Sequence, residues 1–119
     1  AHRPEELVRR AAFALLAALA LHDKSSPDAR FVATFPLIQA AADDPRDLVK
    51  KGVSWALRSV GHRSPGLHAE ALALAQTLQT SASAPARWIG RDTLRDLSRP
   101  AVLALATRKA AKKAPKRPA

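Results

Sequence analysis

The sequence predicts an all-α protein, an α-solenoid of about six helices joined by short polar turns. Alanine accounts for 27 of the 119 residues, β-branched residues are few, and the five aromatic residues include no tyrosine. Abundant alanine favours closely packed helices, and the scarcity of β-branched and aromatic residues argues against a sandwich or a barrel. The length suits one domain, and the absence of cysteine excludes a disulfide framework and any thiolate metal site.

Two prolines shape the first part of the chain. The first helix is predicted to begin at Pro4, whose fixed φ suits a first turn, and to continue to about Leu21. Two glutamates follow the proline and lie at the positive end of the helix dipole, which favours this start. Residues 29–42 are also helical in pattern, but Pro36 lies inside them, so we expect a bend or two short helices there.

Four further helices are predicted from turn and capping residues. The third covers residues 45–60, and Gly61 is expected to end it. The turn HRSPG then leads to a fourth helix over residues 67–80. The fifth ends near Ser98, and the sixth begins at Pro100 and dissolves into the basic carboxyl terminus.

Similar segments recur along the chain at nearly constant spacing. VRRA at residues 8–11 resembles VKKG at 49–52, 41 positions later, and ARWI at 86–89 follows after another 37. Residues 35–57 place a proline in one helix, an aspartate in the turn and a basic pair at the start of the next helix, which is typical of a HEAT repeat. The spacing is slightly below the ~40–47 residues of HEAT units, so the predicted fold is a HEAT-like α-solenoid.

The first helix is apolar on every side between Ala11 and Leu21, a run of eleven residues. That run is well short of the ~20 residues that a membrane-spanning helix needs. A helix that is apolar all round is buried on all sides, whereas the terminal unit of a solenoid has a polar outer face. We therefore expect the chain to be the carboxyl-terminal part of a longer solenoid, or to bind a packing partner through this apolar helix face.

The third and fifth helices carry the candidate functional residues. On the third helix, Lys51 and Arg58 lie opposite the apolar face and Trp55 lies at its border. Trp55 either packs at the edge of the core or offers an exposed indole face to a cationic or planar ligand. On the fifth helix, we expect Trp88 on the polar side, along with Asp92 and arginines that repeat every four residues. The alternative there is a solvated face on which Asp92 pairs with Arg91 or Arg95.

The repeat alignment brings these residues onto one surface. It superposes Arg10, Lys51 and Trp88, and equivalent positions on successive second helices of a solenoid line one concave face. Cations whose spacing is similar to that of DNA phosphates, with aromatic side chains between them, favour DNA binding. The predicted DNA-binding residues, which we call the basic groove, are Arg9, Arg10, Lys50, Lys51, Arg58, Arg87, Trp88 and Arg91.

The formal charge of +10 is concentrated at the carboxyl terminus. Residues 108–119 contain six basic residues and no acid, which leaves a charge of +4 for residues 1–107. We expect residues 1–107 to form the helical domain and residues 108–119 to be a disordered tail that attracts phosphates of any sequence. The four histidines show no metal-ligand spacing and the four glycines form no phosphate loop, so no metal or cofactor is expected.

These segments resemble the carboxyl-terminal half of the AlkD-like DNA alkylation repair proteins, which are bacterial HEAT-like DNA glycosylases. The resemblance covers roughly residues 5–105 and is most specific in VKKGVSWALR and ARWIGRDTLRDL. It implies that double-stranded DNA is the partner and that N3- or N7-alkylated purines are excised by hydrolysis of the N-glycosidic bond, without a cofactor. Together with the absence of cysteine, it implies a cytoplasmic, nucleoid-associated protein.

The resemblance also assigns roles to individual residues. Arg10 matches a DNA-contacting arginine of the family, and Trp55 matches an active-site tryptophan that Lys51 and Arg58 flank. The catalytic aspartate of the family lies upstream of the segment that matches RRAA, so we expect this chain to lack it. The 119 residues are therefore predicted to bind DNA with little or no glycosylase activity. A non-catalytic HEAT-like scaffold that binds nucleic acid or a protein partner is the alternative.

Overall fold

Seven helices form the part of the chain that the computed structural model describes, which is residues 3–113 without the side chains of residues 110, 112 and 113. No strand occurs within this range, which confirms the predicted all-α class. In chain order the helices are α1 (Pro4–His22), α2 (Asp28–Val32), α3 (Phe35–Ala41), α4 (Asp47–Arg63), α5 (Pro65–Gln79), α6 (Ala84–Leu97) and α7 (Pro100–Lys113).

The helices lie in two layers. In one layer α4 lies between α1 and α6, and in the other α5 packs against both α4 and α6 and also contacts α2 and α7. The first layer is parallel. Gly52 and Arg63 of α4 contact Arg10 and Ala20 of α1 in the same order. Ser54 and Gly61 of α4 likewise contact Asp92 and Leu97 of α6. This arrangement of parallel helices backed by a second layer is compatible with a helical-repeat, solenoid-like fold.

The core is centred on α4. Val49, Val53, Leu57 and Val60 are fully buried, and they form the apolar face that the sequence predicts for this helix. Each such side chain contributes roughly 1.5–3 kcal/mol when it leaves water. Because three sides of α4 are covered by α1, α5 and α6, only one narrow strip of this helix faces outwards.

The bounds of α4 differ from the prediction at both ends. The helix begins at Asp47, since the carboxylate of Asp44 accepts hydrogen bonds from the backbone N–H and the guanidinium of Arg46 and holds a turn before it. Gly61 does not end the helix, and no described glycine has a positive φ. Its missing side chain instead lets Leu97 approach, because a Cβ there would lie 2.8 Å from the Leu97 Cδ1 atom.

The connection between α4 and α5 is also shorter than the predicted HRSPG turn. Only Ser64 separates the two helices, and its hydroxyl caps α5 by accepting a 3.1 Å hydrogen bond from the backbone N–H of Leu67.

The predicted effect of Pro36 is confirmed, since α2 and α3 are two short helices in place of one.

The carboxyl-terminal helix corrects the predicted tail. α7 begins at Pro100 as predicted but continues to Lys113, so residues 108–113 are helical and the prediction of disorder is wrong for them. Alanine, lysine and arginine favour a helix. The ammonium of Lys109 also donates to the carbonyls of His62 and Arg63, at 2.8 and 3.3 Å, which fixes α7 to the end of α4. Residues 114–119 of the predicted tail lie outside the described residues.

One side of α1 is apolar and uncovered. Phe13 and Ala17 are buried, whereas Val8 and Leu15 are 67% and 61% exposed. Together with Leu37 of α3, these exposed side chains line an open apolar groove of about 410 Å³. The predicted apolar face of the first helix is thus present and uncovered, and a packing partner for it stays a prediction. None of the helices in residues 3–113 combines the length and apolar character needed to cross a membrane.

Candidate nucleic-acid interface

The outward strip of α4 carries three of the residues that the sequence singles out. Lys51, Trp55 and Arg58 follow one another at helical spacing, four and three positions apart, and so share one side of the helix. Lys51 is exposed, Trp55 is 37% exposed, and the Arg58 side chain is 35% exposed. We call these three residues the α4 strip, and it lies between α1 and α6 in the middle of the parallel layer.

Trp55 lies at the surface with a cation over its ring. The guanidinium carbon of Arg10, on α1, is 5.3 Å from the centre of the indole, within the ~6 Å range of a cation–π contact. Gly52 makes room for this arginine, because a Cβ at that position would lie 3.3 Å from the Arg10 Cδ atom. An exposed part of the indole is thus present, and its use in binding a cationic or planar ligand stays a prediction.

Trp88 is placed differently from the prediction. The sequence pattern put it on the polar side of its helix, but it is only partly exposed and packs against the buried core. Its ring faces α4, where the ammonium of Lys50 lies 4.6 Å from the ring centre. Lys50 also lies 3.5 Å from a carboxylate oxygen of Asp47. Because α6 packs beside α4, this side of α6 is partly covered, and Lys50 and Trp88 form an interhelical contact.

Asp92 does not pair with the arginines of its own helix. Its Oδ2 atom accepts a 2.6 Å hydrogen bond from the hydroxyl of Ser54, which is fully buried, and lies 3.7 Å from Nε of Arg58. The alternative interpretation, in which Asp92 pairs with Arg91 or Arg95, is therefore wrong, because the side chain turns towards α4. As a result, one edge of the Arg58 guanidinium is held against α6.

A cleft of about 190 Å³ opens beside Trp55 and contains a pair of residues that the sequence analysis did not single out. Nε2 of His62 lies 2.6 Å from Oδ2 of Asp96, and Oδ1 of the same carboxylate is 3.0 Å from the guanidinium of Arg99. The side chains that line the cleft are Leu21, Trp55, Arg58, Ser59, His62 and Asp96.

The spacing of charged residues along α4 and α6 contains a signal for the His62–Asp96 pair. Arg58 and His62 are four positions apart on α4, and Asp92 and Asp96 are four positions apart on α6. Two basic side chains on one helix thus face two acids on its parallel neighbour. Recognising this match requires the register between the two helices, which the repeat alignment gives only approximately.

Arg9 has a partner outside the basic groove. Its guanidinium donates to a carboxylate oxygen of Asp44 at 3.1 Å, and Arg46 binds the same carboxylate at 2.7 Å. The hydrogen bonds from Arg46, with the charges of Arg46 and Arg9, hold the pKa of this largely buried carboxyl down to about 2. Arg9 therefore ties α1 to the turn before α4, although its side chain remains 51% exposed.

Arg87 and Arg91 differ although they are one turn apart on α6. Arg87 folds back to the start of its own helix, where it donates to the carbonyls of Ser81 and Ala82 at 3.0 and 2.9 Å. Arg91 is exposed and makes no ion pair or hydrogen bond within residues 3–113. The same holds for Lys51. Of the basic groove, the cations that remain available are thus Arg10, Lys51, Arg58 and Arg91.

The described residues contain no group of three or more histidine, aspartate, glutamate or cysteine side chains that could hold a metal ion. The fold is compatible with a helical-repeat protein, and this surface carries available cations on three parallel helices around a partly exposed indole. Such an arrangement of cations favours a polyanionic ligand.

A comparison with family models identifies the class more closely. The model described as DNA alkylation repair enzyme matches residues 1–97, which include α1 to α6 and the whole α4 strip. The chain therefore belongs to the DNA alkylation repair enzyme family, and the predicted resemblance is confirmed. This membership supports a role in DNA alkylation repair and in DNA binding. No curated protein and no solved structure matches the chain.

Proposed function

We propose that this chain is the DNA-binding part of a glycosylase that excises N3- or N7-alkylated purines from duplex DNA. The observation that carries the proposal is the α4 strip, in which an exposed indole lies between two cations and under a third from α1. Membership of the DNA alkylation repair enzyme family supports the broader part of the proposal, a role in DNA alkylation repair.

In this proposal, the available cations of the three parallel helices bind the DNA backbone. Arg10 lies on α1, Lys51 and Arg58 on α4, and Arg91 on α6. Each phosphate that a cation neutralises releases counterions, so the logarithm of the binding constant falls with the logarithm of the salt concentration by about 0.9 per contact. Backbone contacts of this kind orient the duplex without reading its sequence, as a repair protein requires.

Trp55 is proposed to contact the lesion. An alkylated purine carries a positive charge and leaves the sugar readily, so the transition state is a cationic, oxocarbenium-like sugar. The face of an indole attracts cations, and the position of Arg10 over the ring is an example of this attraction. We propose that the cationic nucleotide takes the place of Arg10 over the indole and that Arg10 then contacts a phosphate.

A DNA-binding module without catalytic activity is the second candidate function. The contacts that two carboxylates make within this chain favour it. Asp92 is bound by Ser54 and lies near Arg58, and Asp96 is bound by His62 and Arg99. Each carboxylate already has a cationic neighbour, which offsets part of the attraction that it can offer to a developing sugar cation. We therefore expect the chain to bind DNA that contains 7-methylguanine and to release little or no base from it. Efficient release of 7-methylguanine would refute this.

Charge-matched variants test whether the α4 strip binds DNA. Lys51→Gln, Arg58→Gln and Arg30→Gln each remove one charge, but Arg30 is exposed on α2, which packs on the other layer. Fluorescence anisotropy with a labelled duplex at several salt concentrations gives the affinity and its salt dependence. Each strip variant should weaken binding and lower the salt slope by about 0.9, whereas Arg30→Gln should change neither. Equal effects of all three variants would show that total charge, rather than the strip, governs binding.

A further inference from the structure

The cleft beside Trp55 holds a polar pair that the proposed backbone contacts do not use. His62 and Asp96 both line it, and their side chains are 27% and 16% exposed. We propose that His62, positioned by Asp96, is a further DNA contact that binds one backbone phosphate together with Arg58. This inference rests on the proposed DNA-binding function.

The two nitrogens of the His62 ring have different surroundings. Nε2 is 2.6 Å from the Asp96 carboxylate, which can only accept, so Nε2 carries a proton and donates to it. Nδ1 makes no hydrogen bond within residues 3–113. An anion that approaches Nδ1 favours a second proton on the ring, and the ring then donates to the carboxylate on one side and to the anion on the other.

Arg58 is placed to share the same anion. Its Nε atom faces the Ser54 carbonyl at 3.4 Å and the Asp92 carboxylate at 3.7 Å. Its two terminal nitrogens make no hydrogen bond in the described part of the chain. His62 follows one helical turn later and lines the same cleft, so both side chains can reach one phosphate. A phosphate of the DNA backbone can accept from two such donors at once.

The charged groups around His62 determine its response to DNA. From α6, Asp96 contacts the ring, and Arg99 balances the charge of that carboxylate. From α4, Arg58 lines the same cleft, and from α7 the ammonium of Lys109 binds the backbone carbonyl of His62. From α5, the largely buried His68 lines a second small cavity with His62 and bonds the carbonyl of Leu97. The side chain that α1 contributes to the cleft is apolar, Leu21. A phosphate beside Nδ1 adds negative charge next to the ring and stabilises its doubly protonated form, so binding is coupled to proton uptake.

Calorimetry can measure this proton uptake directly. The full chain is titrated with a short unmodified duplex at pH 7 in two buffers of different ionisation enthalpy, which gives the number of protons bound per complex. We expect the wild type to take up a fraction of a proton per complex. His62→Gln should take up less, although its amide can still donate to Asp96. Asp96→Asn should show the same loss. His22→Gln, an exposed histidine at the end of α1, is the matched control and should behave as the wild type.

The affinities give a second readout. We expect His62→Gln to weaken binding by roughly tenfold at pH 6 and by less than about twofold at pH 8.5, because donation from Nδ1 to a phosphate requires a second proton on the ring. Proton uptake equal to that of the wild type in a folded His62→Gln chain would overturn the inference, as would a wild type that takes up no proton. If the wild type does not bind DNA at any pH, the proposed function fails and this inference fails with it. If it binds without a dependence on His62, only the inference is overturned.

Discussion

The contact between α5 and α6 at Gly90 gives the sharpest test of how the fold is packed. A Cβ atom at Gly90 would lie 2.6 Å from the carbonyl oxygen of Ala75 and closer still to the backbone nitrogen of Gln79. These neighbours are backbone atoms, so no side-chain rotation can relieve the overlap. Gly90→Ala therefore forces α5 and α6 apart, and α6 carries the carboxylates that hold Arg58 and His62 in place.

The expected cost follows from this geometry. Carbon atoms in contact with other heavy atoms are most stable at ~3.5–4.0 Å, so the two backbones must separate by roughly 1 Å. Overpacking costs about 1–3 kcal/mol even where side chains can adjust, and more where the backbone must move. The better helix propensity of alanine returns about 0.5–1 kcal/mol. We expect Gly90→Ala to lower the free energy of unfolding by at least about 2 kcal/mol, a large part of the ~5–15 kcal/mol of a typical domain.

Gly66→Ala is the matched control for this experiment. The neighbour of an added Cβ at Gly66 is a carboxylate oxygen of Asp28 at 3.5 Å, an ordinary contact. This variant should have unchanged or slightly higher stability. Urea unfolding followed by circular dichroism and tryptophan fluorescence gives both values. A free energy of unfolding of Gly90→Ala within about 0.5 kcal/mol of that of Gly66→Ala would refute the close packing of α5 on α6.

Three further predictions concern stability. Arg63 donates to the carbonyls of Ala20 and Ser26 and lies 4.3 Å from the ring centre of Phe31. We expect Arg63→Gln to lower the free energy of unfolding in urea by about 2–3 kcal/mol. An unchanged unfolding midpoint would contradict these contacts. The pKa of Asp44 is lowered to about 2 in the folded chain, so its contribution to stability is present above the unfolded pKa of ~3.9 and is lost as the pH falls towards 2. Asp44→Asn should therefore be less stable than the wild type at pH 7, and the difference should shrink between about pH 4 and 2; a constant difference would refute this cause. The hydroxyl of Thr93 is buried without a hydrogen-bond partner in the described structure, so Thr93→Val should raise the thermal midpoint or leave it unchanged, and a clear decrease would indicate a hidden partner.

The helices and their apolar faces were predictable because they depend on local signals. Pro36 divides one helical stretch into α2 and α3, and the spacing of apolar residues on α4 identifies the side that is buried. The prediction that Gly61 ends α4 is wrong because a glycine near a helix end has two uses, as a terminator or as a place for close packing. Only the position of Leu97 on α6 distinguishes them.

The candidate interface was predictable in part for the same reason. Helical spacing places Lys51, Trp55 and Arg58 on one strip without any knowledge of the neighbouring helices. The His62–Asp96 pair and the orientation of Trp88 depend on the register and proximity of α4 and α6. A pattern within one helix cannot supply that register.

The measurement that tests the central claim most directly is the preference for a damaged duplex. Affinities for two duplexes that differ by a single 7-methylguanine are compared for the wild type and for Trp55→Ala. We expect the wild type to bind the alkylated duplex more tightly, and Trp55→Ala to lose this preference while its salt-dependent affinity for unmodified DNA hardly changes. A wild type without a preference, or a Trp55→Ala chain that keeps it, would contradict the proposed role of the indole.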